Sequence, residues 1–358
     1  MQGEVARTIA SAVNVVLTPQ EKEHLSGGRT VDPQAYEAYL KGMVNWQKFT
    51  PQGVNDSKGY FERALEKDPS YALAYQGLAW YWLNRMQMGL MAPSEAGPKA
   101  RKAALQAIAL DDACAEAHEA MAAIRTWIEW DWAGGESEWR RTLELNSNAA
   151  TAHAYYAHLL AITGRVEEAL PHSERAVELD PSNALFQAMY SLTLLYDRRY
   201  DDALAAGDKA LAIQPDILTA KVMRQHVCII KGMRKEQLAE QRERIAKDPG
   251  RVAAFEKGLS EGGYEGAQRA LADLFVERYE KGVPEPGTLR IFMPNGIAFR
   301  YLDAGDYDRA MDWLEKAYEV RDPGLPYALA SPIHDPLRAN PRFQALLRKM
   351  NLPLEAGK

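Results

Sequence analysis

Along most of the chain, apolar residues return at three- and four-residue steps, the spacing that gathers them on one face of a helix. Polar turns cut these runs at regular intervals. The strings VELDPSNALFQ, AIQPDILTAK and IAKDPGRVAAF place Pro181, Pro215 and Pro249 at successive intervals of 34 residues. Ser147 stands 34 residues before Pro181, Asp112 stands 35 before Ser147, and Pro69 marks the same turn in LEKDPSYALAY. A proline cannot continue the helix it follows, so each marker closes one helix and opens an antiparallel return.

Between markers the pattern predicts two helices with a glycine at the turn, as in GRVEEALPHSERAVELDP, where Gly164 can adopt the left-handed conformation that ends the first. Small residues seven apart lie on one stripe of each second helix. They are Ala169 and Ala176, Ala100 and Ala107, Ala203 and Ala210, and Ala310 and Ala317, with Ser57 and Ala64 as a near match. The first helices carry a matching small residue at Ala79, Ala122, Ala157, Ser191 or Ala298. Small side chains at these points let neighbouring helices approach closely.

Spacing, small residues and helix breakers together resemble the tetratricopeptide repeat family, whose 34-residue units stack into a superhelix. The resemblance implies an all-α fold: a right-handed α-solenoid of about eight repeats, closed by a C-terminal capping helix. Second helices are expected near residues 51–67, 94–110, 132–145, 166–179, 200–213, 234–247, 264–281 and 307–321. The organisation reads as an amphipathic linker helix and turn over 1–31, the array over 32–323 and the cap over 324–358. The sixth and seventh units are degenerate: Arg244 replaces an alanine, and ERYEKGVPEPGTLRIFMPNG adds a loop. In the second unit, Met86, Met88 and Met91 are expected to pack an extended helix pair, the alternative being a methionine-rich partner site.

The ends carry a closer resemblance, to the tetratricopeptide region of bacterial multidomain signalling regulators. Asp335, Pro336, Leu337 and Arg338, then Pro341, Arg342, Phe343, Leu346 and Leu347, match that group's closing DPLR…PRFQ.LL pattern. A helix carrying Phe343, Leu346 and Leu347 on one side can cover the apolar face the last repeat exposes. At the front, Val5, Ile9, Val13 and Val16 form an apolar stripe, followed by an LTPQE turn. In the group it resembles, such a helix joins the repeats to an adenylate cyclase, winged-helix or serine/threonine kinase domain, often through a TolB-like module. The chain then reads as a truncated piece of a regulator or as a stand-alone sensor arm, and the stripe as a homo-oligomer contact or a dock for an upstream domain of the same polypeptide.

Composition narrows the function classes. With 43 Lys and Arg against 49 Asp and Glu, and no concentrated basic stretch, nucleic acid is not expected as a direct partner. The two cysteines, Cys114 and Cys228, lie outside any metal-ligating or disulfide spacing, which fits reduced thiols and a cytoplasmic location. Neither an export signal nor a membrane anchor is read from the N-terminus. There is no phosphate loop, nucleophile elbow or HExxH helix, so neither an enzyme nor a cofactor or metal is expected. His334 beside Asp335 reads as part of the cap, and His118 and His153 as packing residues at equivalent sites.

A ligand of such an array would meet the first helices, which line the concave face. Counting along each unit gives Gln76, Trp80 and Asn84, then Glu116, Glu119 and Trp127. The lining continues with Thr151, His158, Tyr196 and His226, interspersed with apolar residues such as Leu192 and Ile229. This apolar and aromatic groove with an acidic first third suits a peptide or protein partner with apolar anchors and a basic residue opposite Glu116 and Glu119. The alternatives are that these residues bind a small molecule or an upstream domain, or that several of the apolar ones pack on the chain's own terminal helix or a neighbouring repeat. Co-chaperone-type recognition of a C-terminal carboxylate is not expected. Lys41 and Asn45 have the right spacing, but Gly77, Glu116 and Ala120 break the clamp. Of the tryptophans in TWIEWDWAGGESEW, Trp139 reads as core, Trp130 and Trp132 as a staple around an Asp131 N-cap, and Trp127 as the one facing the groove.

Overall fold

A computed structural model of the chain describes residues 31–48, 50–283 and 293–354. The N-terminal stripe of Val5, Ile9, Val13 and Val16, and most of the loop predicted after Lys281, lie outside the described residues. The described residues are helical, with no strand among them. The helices are α1 (Pro33–Gln47), α2 (Pro51–Lys67), α3 (Ala72–Gln87), α4 (Pro93–Leu110), α5 (Ala115–Ile124), α6 (Trp132–Leu145), α7 (Ala150–Ile162) and α8 (Val166–Leu179). They continue as α9 (Ala184–Tyr196), α10 (Tyr200–Ile213), α11 (Leu218–Ile230), α12 (Arg234–Ile245), α13 (Pro249–Glu280), α14 (Pro294–Asp303), α15 (Tyr307–Glu319), α16 (Leu325–Ala330) and α17 (Pro341–Lys349).

They form two compact units. The first comprises Met1–Arg85 with Ser94–Ala152, the second Met86–Pro93 with His153–Lys358. In the first unit, α1, α2 and α3 share a core in which Phe61 and Ala64 meet Ala35, Tyr39, Tyr71 and Ala74. In the second, Ala184 and Ala188 of α9 meet Ala210 of α10 and Ala220 of α11.

The local chemistry explains the repeat. Ala64, Ala100, Ala107, Ala169, Ala210, Ala310 and Ala317 are fully buried, as are Ser57, Ala122, Ala157 and Ala298, so the small-residue stripes mark helix contacts. Helices open on side-chain caps: Asp32 accepts from the Gln34 and Ala35 amides, Asp248 from Arg251 N and Asp306 from Arg309 N. The turns after α2, α4 and α6 reuse one device, in which Asp68, Asp111 and Asn146 accept from the amide two residues on, at 3.1, 3.0 and 3.0 Å.

Two places depart from regular pairs. The first is α13, which breaks at Gly262 (φ −145°, ψ 21°) and Gly263 (φ 61°, ψ −150°), so that residues 264–280 return as the second helix of the seventh unit. The two halves cross through glycine: a Cβ on Gly258 would stand 2.4 Å from the Gly266 carbonyl oxygen, and one on Gly266 2.4 Å from that of Gly258. Gly258→Ala should therefore lower the stability of the second unit by about 1–3 kcal/mol, although alanine favours a helix by about 1 kcal/mol. Gly296→Ala in α14, where a Cβ meets nothing within 4 Å, should be neutral or stabilising. Urea midpoints of the two variants compare them directly.

The second departure follows α5, which continues into a π-helical turn over Arg125–Glu129 and ends on Trp130 in the left-handed region at φ 54°. Asp131 then caps α6, accepting from Gly134 N at 3.0 Å. Trp139 is fully buried and donates from Nε1 to Thr126 Oγ1 at 3.2 Å.

Candidate partner-binding faces

In the first unit, the predicted lining on α3 and α5 is more enclosed than an open groove would be. Gln76, Trp80 and Asn84 follow one another at four-residue steps on α3 and are 3%, 2% and 1% exposed. Trp46 of α1 packs edge-on against Trp80, with ring centroids 5.6 Å apart. On α5, Glu116 is exposed and Glu119 is 8% exposed. Thr151, in the first turn of α7, is half-buried. Trp127 is 1% exposed and stacks edge-on against Trp139 at 5.9 Å, so the π turn seats it in the core rather than presenting an open face.

This face carries unmet hydrogen-bonding capacity. Gln76 Oε1, Asn84 Nδ2 and Trp46 Nε1 are buried without a partner. Burial pushes the Glu119 carboxyl up to about 8, with the negative charge of Glu116 adding to the effect.

The opposite arrangement holds a few residues away. His118 Nε2 faces the Asp112 carbonyl at 3.0 Å and its Nδ1 faces Glu138 Oε2 at 2.7 Å. Both partners accept, so the arrangement favours the imidazolium, in which both ring nitrogens donate. The Glu138 bond raises its pKa above the ordinary 6.5. The stabilisation is complete below pH 6.5 and is lost as pH rises through the folded value. His118→Gln should thus cost most at pH 5–6 and progressively less above pH 7, which melts of both proteins across that range would show.

In the second unit, the corresponding first-helix residues meet the chain's own C-terminal segment. Tyr196 of α9 donates from its hydroxyl to the Tyr327 carbonyl at 3.0 Å. His158 of α7 sits with Nε2 3.3 Å from the Met189 carbonyl and Nδ1 3.3 Å from Tyr327 Oη. The carbonyl can only accept, so Nε2 carries the proton and the neutral Nδ1 accepts from the Tyr327 hydroxyl. Asp335, in the 3₁₀ turn Pro332–Leu337, pairs with Arg198 at 2.8 Å and with Arg338 at 2.9 Å. A cleft lined by Ile162 and Tyr196 on one side and Leu329, Pro332 and Pro353 on the other runs along this seam. His226, half-buried, packs its ring on Phe299 at 5.0 Å. Here His158 and Tyr196 are joined through a residue, Tyr327 of α16, that the sequence did not single out.

Phe343, Leu346 and Leu347 of α17 are buried at 0%, 2% and 1% exposure, and Arg342 pairs with Asp312 and Glu315 of α15 at 2.7 and 2.8 Å. His334 is buried beside Phe343, its ring nearly parallel to it. Among the described residues, no three His, Cys, Asp or Glu side chains are grouped to hold a metal ion, and no helix is long and apolar enough to cross a membrane. Cys114 and Cys228 are free and buried.

Antiparallel helix pairs in a register of about 34 residues, with buried small residues at most crossings, define the fold as a tetratricopeptide array. No family model matches the chain. Over 79 residues it is 33% identical to the putative adenylate cyclase 3 of Rhizobium meliloti, covering 22% of this chain and 14% of that protein. Over 132 residues it is 26% identical to the transcriptional regulator HilA of Salmonella typhimurium, covering 37% of this chain and 24% of that one. The matched regions thus span at most a quarter of the length of these relatives. Among solved structures, human IFIT1 with m7Gppp-AAAA is similar at a TM-score of 0.54 and 16% identity, covering 80% of this chain and 72% of that one. At that identity the likeness concerns the fold alone.

Proposed function

We propose that the chain is a non-catalytic interaction scaffold that binds a peptide or protein partner on the first-helix face of its first unit. The observation that carries this reading is the set of buried, partnerless polar atoms there: Gln76 Oε1, Asn84 Nδ2 and Trp46 Nε1. Each such group costs about 1–3 kcal/mol while unsatisfied, a cost that a bound main chain, with alternating donors and acceptors, would remove. In the second unit, His158 and Tyr196 already bond to Tyr327 of the same chain, so a partner would have to displace these contacts to reach them.

The partner system is inferred to be a bacterial signalling or transcriptional regulator in the cytoplasm. The two relatives are named as a cyclase and a transcriptional regulator, and each extends well beyond the matched region. That extension also favours a second reading, in which the array 32–323 with its cap 324–358 is a sensor arm that docks an upstream domain through the same face. Self-association through the N-terminal stripe is a further part of the proposal. Deleting residues 1–24 should then lower the oligomeric state in sedimentation, and an unchanged state contradicts it.

The direct test of the scaffold reading is affinity selection of random decapeptides on the full chain. Gln76→Ala combined with Asn84→Ala should weaken the selected peptides at least tenfold while leaving the helical circular dichroism spectrum intact. Equal affinity in the double variant would refute this location for the site.

A further inference from the structure

Resting on the peptide-binding reading, we propose that the face of the first unit contains a specific subsite for a primary ammonium group of the partner, held between Glu119 of α5 and Gln76 of α3. The two residues occupy one register on successive first helices, each three residues before the small contact residue of its helix, Ala79 or Ala122. They therefore hold equivalent positions on the first helices of neighbouring repeats. Both are more than nine-tenths buried, at 8% and 3% exposure. Glu119 forms neither a hydrogen bond nor an ion pair among the described residues, and Gln76 Oε1 has no donor.

Tyr39 of α1 completes the row. Its phenol is 8% exposed and close enough to Glu116 and Glu119 that their charges help to raise its pKa, after burial itself. A carboxylate, an amide oxygen and a phenol oxygen together offer three acceptors, and an ammonium group has three donors. A guanidinium, with five donors in a planar fork, matches this set less well. A metal ion is disfavoured because no three ligating side chains are grouped among the described residues. The exposed Glu116 beside the subsite attracts a cation toward it.

The empty subsite stores a proton rather than a charge. Glu119 feels the charge of Glu116 on its own helix, and Tyr39 of α1 feels the charges of both carboxyls. Neither neighbour supplies a positive charge, and the adjacent His118 turns both ring nitrogens to Asp112 and Glu138. With its pKa near 8, Glu119 is mostly protonated at pH 7, and the incoming ammonium displaces that proton. Binding should then strengthen about tenfold per pH unit from pH 6 toward 8 and level off above, because only the ionised carboxylate pairs with the cation.

The test uses positional-scanning decapeptide libraries against the full chain and its Glu119→Gln variant, an isosteric change that removes the charge. One set is N-acetylated and the other has free N-termini. The expected result is that lysine at one position binds at least tenfold better than norleucine, and that Glu119→Gln abolishes both this preference and the pH slope. If only the free-amine set shows the effect, the ammonium is the partner's N-terminus and the subsite stands. If pools bind but lysine and norleucine are equal, or the preference survives in Glu119→Gln, the subsite is overturned while the peptide-binding face stands. If no pool binds, the peptide-binding reading fails and the subsite fails with it.

Discussion

Phe61→Ala is expected to cost the first unit about 3–5 kcal/mol. The Phe61 ring is fully buried between α1 and α3, and it fits only because both carry glycine where it lies. A Cβ on Gly42 or on Gly77 would each come within 2.5 Å of the ring. Removing the ring leaves a void lined by backbone that cannot close without moving two helices, so the cavity contribution adds in full to the lost transfer energy. Gly77→Ala attacks the same contact from the other side and should destabilise through overpacking. Because α3 also carries Gln76 and Asn84, either change should loosen the proposed binding face. Urea unfolding followed by tryptophan fluorescence measures the effect, and a loss below about 1 kcal/mol for Phe61→Ala would show that the helices do not pack as described.

The second large effect is acid destabilisation of the second unit. Burial holds His158 down to about 4 and His334 to about 3, against an ordinary value of 6.5. For His334 the nearby His226 and Arg338 add to the effect. These depressed values mean that the unfolded chain takes up protons first as pH falls below 6.5. Stability is complete above that point and declines by about 1.4 kcal/mol per pH unit for each histidine until the folded pKa is reached. Between pH 7 and pH 5 the loss is about 2 kcal/mol each and about 4 kcal/mol for the two together. His226, also depressed to about 4, adds to the same decline. The double variant His158→Gln, His334→Asn should flatten the pH dependence of the second unit's urea midpoint. An unchanged slope would show that these rings do not stay neutral in the folded state. His118 in the first unit has the opposite sign, so the two units should diverge in stability as pH falls.

The repeat was legible in the sequence because its signals are local. Proline and Asx turns at a fixed period, and small residues seven apart, depend on contacts within one helix pair. The capping helix was legible for the same reason, since Phe343, Leu346 and Leu347 share one face of one helix. The break at Gly262 and Gly263 was partly visible: a second helix from residue 264 was expected, but not that it would follow the first with almost no loop. The π turn over Arg125–Glu129 left no periodic mark, and its extra residue rotates Trp127 from the expected lining into the core beside Trp139. The groove lining was legible only as a register. Which part of it is covered depends on Tyr327, which lies 131 residues beyond Tyr196 and 169 beyond His158, and no local pattern encodes such a pairing.

Amide hydrogen exchange of the full chain, with and without the tightest decapeptide from the libraries, tests the location of the binding face most directly. The expected result is added protection over residues 72–87 and 115–129, with exchange in residues 184–196 and 325–337 unchanged. Protection over 184–196 accompanied by faster exchange in 325–337 would contradict it, because the partner would then be displacing the C-terminal segment from the second unit.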